Sequence, residues 1–401
     1  MVGERGVVTP AGRIDIHLTV TGESISGVRL ASSRPIAATQ ILHGLSAREL
    51  LHTLPVLFSV CGNAQAYAAR QVCRAVLDHP ETIASESARQ ILVLAECMRE
   101  LAWRILLDWP EVLAEKAEKA AMATLLRSDD QLKRILFKDG DAFSLSSTAI
   151  ASGDVIELLD DLRYTLDKAV FAGSLATVLQ IADFEDWKDW WRYCQAPAAR
   201  LMREIVDFGW ADLGRNSVEL LPPLPAAKLA TEIGEAPSEF CRAPRWQARC
   251  WETTVLNRQS ASPAIAGLSQ HYGNGLLVRI AARLRELAEL PIRMLALTQH
   301  LGDTSIIPPP FPVADGLALS QVVAARGLLL HRLDLRQGRV YDYRIVAPTE
   351  WNFHPDGVVA QGLYRLHGDS GMLKRQASLW IAAIDPCVEY RLEWDYDTDA
   401  R

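Results

Sequence analysis

No apolar run in this 401-residue chain approaches the roughly 18–20 residues that a membrane-spanning helix needs. The longest candidates, Leu54–Gly62 and Ile91–Met98, are short and broken by small or polar residues, so no membrane span is expected. The opening residues Met1-Val2-Gly3-Glu4-Arg5-Gly6 carry charge with no apolar stretch behind it, unlike a secretory signal. Basic charge is not in excess: 42 Lys and Arg against 49 Asp and Glu leave a net charge of −7. That balance argues against a nucleic-acid partner. There is no CxxC pair, and the seven cysteines (61, 73, 97, 194, 241, 250, 387) are scattered and odd in number. They suit reduced thiols and a cytoplasmic location better than a disulfide framework. No internal repeat recurs at a fixed period.

What is present is a core-rich composition. Hydrophobic residues make up 49% of the chain, with 11 Trp, 9 Tyr and 9 Phe, which excludes disorder along its whole length. Ile14, Ile16, Leu18 and Val20 alternate with polar residues, Gly22-Glu23-Ser24 turns, and Ile25 to Leu30 returns: a β-hairpin with one dry face. Ser46-Ala47-Arg48-Glu49 has the form of a capping box, and an Ala-rich helix follows from Gly62 to Leu77. Ile91, Leu94, Met98, Leu101 and Ile105 recur at threes and fours within a helical stretch from Ser85 to about Leu126, which Pro110 kinks or splits. Helical patterns return at 153–182, 197–209 and Asn274–Leu290, with a Pro- and Gly-rich loop expected over roughly 221–245. Beyond the proline-rich Ile306–Pro312 break the period changes to two, and Leu333 to Ile345 reads as a second hairpin turning at Gln337-Gly338. The expected fold is α+β and mainly helical, a helical bundle with N- and C-terminal β-hairpins. It is read as a single domain over 1–401: hairpin 8–31, helical core 46–300, and a C-terminal hairpin and motif region 313–401.

Two cysteines have unusual surroundings. Cys61, in Ser59-Val60-Cys61-Gly62-Asn63-Ala64, precedes a helix N-terminus, where the helix dipole and free N–H groups would favour thiolate. Cys387 follows Asp385-Pro386, where the proline fixes the backbone before the sulfur. The plainer reading of either is a small buried hydrophobe.

Three further segments weigh against that plainer reading: Arg13-Ile14-Asp15-Ile16-His17, Ala325-Arg326-Gly327, and Ala347-Pro348-Thr349-Glu350-Trp351-Asn352. In order with the cysteine segments, they resemble the large subunit of nickel–iron hydrogenases. That family carries R-I-E-G-H, R-x-C-G-x-C-x-x-x-H, A-P-R-G, V-P-[ST]-x-W-N and D-P-C-x-x-C-x-x-H. The similarity runs from residue 13 to residue 393. Departures fall on the metal ligands: the second cysteine of each pair is Ala64 or Tyr390, and the histidines are Ala68 and Glu393. Ser59 stands for the arginine before the first pair, and Val323 for the acid before the A-P-R-G arginine.

In the family four thiolates hold nickel, and two of them bridge to an iron carrying cyanide and carbon monoxide. The resemblance therefore implies no nickel here, because two soft ligands do not make a tight nickel cage, and no catalysis of hydrogen splitting. It implies an iron fragment, Fe(CN)2(CO), held by Cys61 and Cys387, with Arg326 facing one cyanide and Thr349 donating to the other. Both would be charge-assisted hydrogen bonds to an acceptor-only ligand. This pattern is similar to hydrogenase accessory proteins of the HupK/HoxV type. Their implied role is a scaffold that receives the fragment from a HypC-type maturation chaperone and passes it to the hydrogenase large-subunit precursor. Only 14 residues (401 − 387) follow Cys387, with no His to mark the family's C-terminal maturation cleavage.

Two competitors remain at this point. A metal-free structural paralogue would not need Cys61, Cys387, Arg326 or Thr349, and a divergent hydrogenase would need the missing sulfurs. The acidic–aromatic stretch Asp183–Trp191 reads as a helix with its Trp residues packed inward rather than as a docking patch. His17, His331 and His354 lack ligand spacing and read as structural histidines, and Asp15 as a structural acid. Gly273-Asn274-Gly275 follows no strand, so it is not read as a phosphate loop.

Overall fold

The computed structural model describes residues 12–397 except 35, 59, 60, 114 and 139. Ser59, Val60 and the first residues of the 8–31 hairpin lie outside the described residues. Helix accounts for 53% and strand for 17%, in agreement with a mainly helical α+β fold.

The alternation at the start of the chain becomes strand β1 (Arg13–Thr21), with Ile14, Ile16, Leu18 and Val20 buried, paired antiparallel to β2 (Ser24–Ser32). The last sheet (β3 Leu317–Ala324, β4 Gly327–Arg336, β5 Arg339–Val346) is an antiparallel meander. The expected second hairpin is β4–β5. Its turn residues Gln337 and Gly338 both have positive φ, as a tight two-residue turn demands. Strand β3 goes beyond that expectation and makes Ala325-Arg326 the turn between β3 and β4. Gly327, which closes that turn, has φ +135°, and a Cβ there would lie 2.0 Å from the Thr253 carbonyl oxygen. Only glycine fits, so the Arg326 turn is pressed against residue 253.

The N-terminal hairpin carries a third strand. β6 (Glu389–Asp397) runs parallel to β1 along its whole length, from Arg13↔Glu389 to Thr21↔Asp397. The pairing begins two residues after Cys387 and so sets where that sulfur lies.

Helix α1 (Ala47–Leu57) opens on the capping box read from the sequence: Ser46 Oγ accepts from the Glu49 N–H, and Glu49 Oε2 accepts from the Ser46 N–H at 2.7 Å. Helix α2 (Gly62–Val76) begins beside Cys61, and α3 (Ile83–Trp103) packs against it. Arg70 and Arg74 of α2 and Arg89 of α3 all pair with the buried Glu81 carboxylate, at 2.6 Å from Arg70 and 3.0 Å from Arg74. One buried anion thus clamps the two helices and fixes the direction from which Cys61 is presented.

Past Trp103 the helix takes a π turn over Arg104–Asp108 and continues to Val112. Pro110 lacks the N–H that would meet the Leu106 carbonyl, and that carbonyl accepts instead from the Glu118 N–H at 2.9 Å. After α4 (Lys119–Leu136) and α5 (Asp154–Ala169), the long α6 (Leu276–Thr298) runs through Pro291, beyond the Leu290 boundary expected for it. The expected loop over 221–245 is a correction: it contains helices Ala226–Glu235 and Pro237–Arg242. Pro225 stands just before the first and Pro237 at the start of the second, where a missing N–H costs nothing. Leu229, Ala230 and Ile233 supply a buried stripe. Helices α7 (Pro348–Asn352) and α8 (Ser370–Ile384) lead to the C-terminal motif. The main apolar core draws on residues from Ile14 to Val388. Among the described residues, no helix is long and apolar enough to cross a membrane.

Candidate functional site

Helix α8 ends at Asp385, whose backbone is left-handed (φ +66°) and whose carboxylate is buried. Three arginines converge on it: Arg104 at 2.7 Å, Arg326 at 3.3 Å and Arg283 at 3.5 Å. Burial opposes the charge, yet these guanidinia hold the carboxyl below its ordinary pKa. They fix the Asp385-Pro386 turn, and Cys387 follows. Thr349 Oγ1 lies 2.8 Å from Cys387 Sγ and accepts the Cys387 backbone N–H at 3.2 Å, which leaves its own proton free to face the sulfur. A cavity of about 540 Å³, lined by Arg104, Lys374, Arg375, Pro386 and Tyr390 among others, opens beside this turn.

Arg34 reaches the same sulfur. Its Nη1 donates to Glu350 Oε2 at 2.9 Å and to Cys387 Sγ at 3.6 Å. Burial disfavours the guanidinium charge, but Glu350, Cys387 and Cys61 outweigh it and push the pKa up. Cys61 and Cys387 therefore lie in the field of one cation, and Cys387 is among the electrostatic neighbours of Cys61. Arg326 is buried; Glu100 at 3.0 Å and Asp385 hold it, and Asp385, Glu100 and Cys387 raise its pKa against burial. Its guanidinium is thus engaged by two carboxylates rather than standing free.

The expected thiolate at Cys61 is corrected. Cys61 is the residue before α2, but the N–H groups of Asn63 and Ala64 donate to Glu96, at 2.8 and 3.0 Å, rather than to the sulfur. Burial first, then Cys387 and Glu96, push the thiol up to about 12, and Gln65 Nε2 at 3.5 Å only partly offsets this. The helix dipole is spent on a buried carboxylate.

That carboxylate gives a pH prediction. Burial raises Glu96 from 4.5 to about 7. The folded chain keeps this proton after an unfolded glutamate has lost it, so stability falls as pH climbs from about 4.5 to about 7, by roughly 3 kcal/mol for this group. Urea midpoints of wild type and Glu96→Gln should diverge by that amount between about pH 5 and about pH 8. A pH-independent difference contradicts the assignment.

The positions that carry metal ligands in the resembled family are filled differently. Ala64 and Ala68 are fully buried in the apolar core. Tyr390 lies in β6 opposite Ile14, and Glu393 pairs with His17 at 2.8 Å. His331 is buried between Tyr343 Oη (2.6 Å) and Gln65 Oε1 (2.9 Å), and burial pushes its pKa down to about 3. Trp187, Trp190 and Trp191 pack inward from the helix Phe184–Tyr193. Asn274 accepts the Asn216 backbone N–H at 3.0 Å, a packing role. Asp15 pairs with Arg13 at 2.8 Å. His354, read as structural from the sequence, has its Nδ1 3.2 Å from Cys250 Sγ. Sequence reasoning missed Arg34, Glu96 and Glu350. Arg34 lies in no motif and meets its partners 316 and 353 residues away, so the sequence holds no local signal for it. Glu350 sits inside the A-P-T-E-W-N segment and was in plain view.

No family model matches the chain. Hydrogenase expression/formation protein HoxV of Cupriavidus necator is 30% identical over 398 residues, covering 96% of this chain and 97% of that protein. The chain belongs to the HoxV/HupK family of hydrogenase expression/formation proteins. HupK of Azotobacter vinelandii, a further member, is 26% identical over 388 residues, covering 96% and 98% of the two chains. Among solved structures, the Ni-Fe-Se hydrogenase of D. vulgaris Hildenborough superposes with a TM-score of 0.63 at 14% identity, covering 92% of this chain and 94% of that one. The Ni-Fe-Se hydrogenase of Desulfomicrobium baculatum gives 0.61 at 12% identity, covering 92% and 95%. The fold of this chain is thus that of the hydrogenase large subunit, with the expected mainly helical α+β class. The names of the relatives place the family in hydrogenase maturation.

Proposed function

We propose that this chain is a non-catalytic carrier in nickel–iron hydrogenase maturation. In the cytoplasm it takes an Fe(CN)2(CO) fragment from a HypC-type chaperone, holds it between Cys61 and Cys387, and releases it to the large-subunit precursor. The observation that carries the reading is the shared guanidinium: Arg34 lies in the field of both thiols, while Thr349 presents a hydroxyl to Cys387 Sγ at 2.8 Å. Two sulfurs suit one iron, and the buried Ala64 and Ala68 supply no donor for a second metal. Cyanide accepts hydrogen bonds and donates none; Arg34 and the Thr349 hydroxyl are donors beside Cys387, and the buried Arg326 charge lies in the field of that sulfur.

The raised Cys61 thiol fits a carrier. Loading would replace the Cys61 thiol proton, so burial that favours the protonated thiol works against the bond to iron. Protein purified anaerobically from a host with the maturation system should show cyanide and carbonyl infrared bands, with iron and without nickel. Repeated preparations with neither band nor iron above background overturn the reading.

A further inference from the structure

Away from this centre, Cys250 Sγ, a ring nitrogen of His354 and a carboxylate oxygen of Asp356 all lie within 4.8 Å of one another. We propose that these three residues form a second metal site, for a divalent cation of the zinc type, independent of the iron fragment.

The donor set is sulfur, nitrogen and oxygen, the mixture that zinc accepts in a tetrahedral shell. With metal–sulfur and metal–nitrogen bonds of about 2.3 and 2.0–2.1 Å, a tetrahedral S···N edge is about 3.5 Å. Sγ and Nδ1 stand 3.2 Å apart, so those two donors need to open by only a few tenths of an ångström. The imidazole is set for the task. Its Nδ1 accepts the Asp356 backbone N–H at 3.0 Å and so carries a lone pair on the side that faces the sulfur. His354 is only 2% exposed, while Cys250 is half-buried and Asp356 exposed, so a cation has a way in and a water can complete the shell. Asp356 Oδ2 is paired with Arg245, leaving Oδ1 for the metal.

Binding balances simply. The cation takes the Cys250 sulfur as thiolate and releases one proton to solvent, His354 Nδ1 turns its lone pair from the Asp356 N–H to the metal, and no electron moves. The consequence is a staple. Cys250 precedes Trp251–Glu252, whose neighbour Thr253 donates its N–H to Asn352 Oδ1 at 2.9 Å, and Asn352 Nδ2 donates to the Arg326 carbonyl at 3.1 Å. The metal would tie that segment to the chain just beyond α7, the helix that carries Thr349.

The test is a Co2+ titration of the full-length, metal-free, reduced protein. The expected result is the intense visible bands of four-coordinate Co2+ with a thiolate-to-metal charge-transfer band, displaced by Zn2+. The Cys61→Ala/Cys387→Ala double variant should keep both features. Cys250→Ser should lose the charge-transfer band and at least about tenfold in affinity. Asp356→Asn, on the surface and harmless to folding, should weaken binding while the charge-transfer band persists at saturation. Zn2+ should raise the Tm of wild type and not that of Cys250→Ser. A charge-transfer band that survives Cys250→Ser, or no saturable Co2+ binding in wild type, overturns the proposal. Failure of the iron reading would show instead in the Cys61 and Cys387 variants.

Discussion

Cys387→Ala is expected to strip the protein of its diatomic-ligated iron: cyanide and carbonyl infrared bands lost, and bound iron down at least about tenfold. The cause is local. Thr349 and Arg34 both converge on the Cys387 sulfur, so deleting it removes a soft ligand and leaves the surrounding donors aimed at a methyl group. Cys61→Ala should have the same outcome, because one remaining thiol is a monodentate anchor for a fragment that otherwise has two. Cys194→Ala, outside both proposed sites, is the control and should retain both bands. In a host dependent on this protein, hydrogenase activity should fall with the iron content. Full bands in both single variants would mean that the thiols are packing residues and the carrier reading is wrong.

Arg34→Met should cost both stability and cargo. Glu350 is buried and accepts the Arg34 guanidinium at 2.9 Å, so removing the cation strands a buried carboxylate, at about 3–5 kcal/mol of folding stability. The same change takes away the positive charge that faces both thiols. The two effects separate in Arg34→Met/Glu350→Gln, where the stranded anion is gone. Urea unfolding should recover most of the loss, while iron content and the cyanide bands stay low. If the double variant loads iron like wild type, Arg34 serves the fold alone.

The contrast between these residues shows what sequence can carry. The capping box at Ser46, the inner face of β1 and the Gln337-Gly338 turn are local, since each depends on residues within a few positions, and each was readable. The thiols and Thr349 were found because they lie in short segments resembling a known family in order. Arg34 and Glu96 act through contacts made only after folding, across 353 and 33 residues respectively, and nothing beside them in the chain marks that role. Cys61 is the sharper case. Its position before a helix was read correctly and its chemistry was not, because Glu96 from another helix captures the N–H groups that would have served the sulfur. The helices at 226–242 are hidden for a different reason: proline content alone does not show that Pro225 and Pro237 fall at helix starts, where the ring is tolerated.

The pairing of β6 with β1 joins residues 376 positions apart (389 − 13), and Cys387 sits at the hinge of that pairing. A nascent chain that has already folded its bundle still has no second sulfur in place, since the strand that seats it is made after the helices. The two thiols therefore take up their places only once β6 has been made and has paired with β1. On the carrier reading, a donor of the cargo would meet either a finished receptacle or none, and half-synthesised copies would not sequester iron.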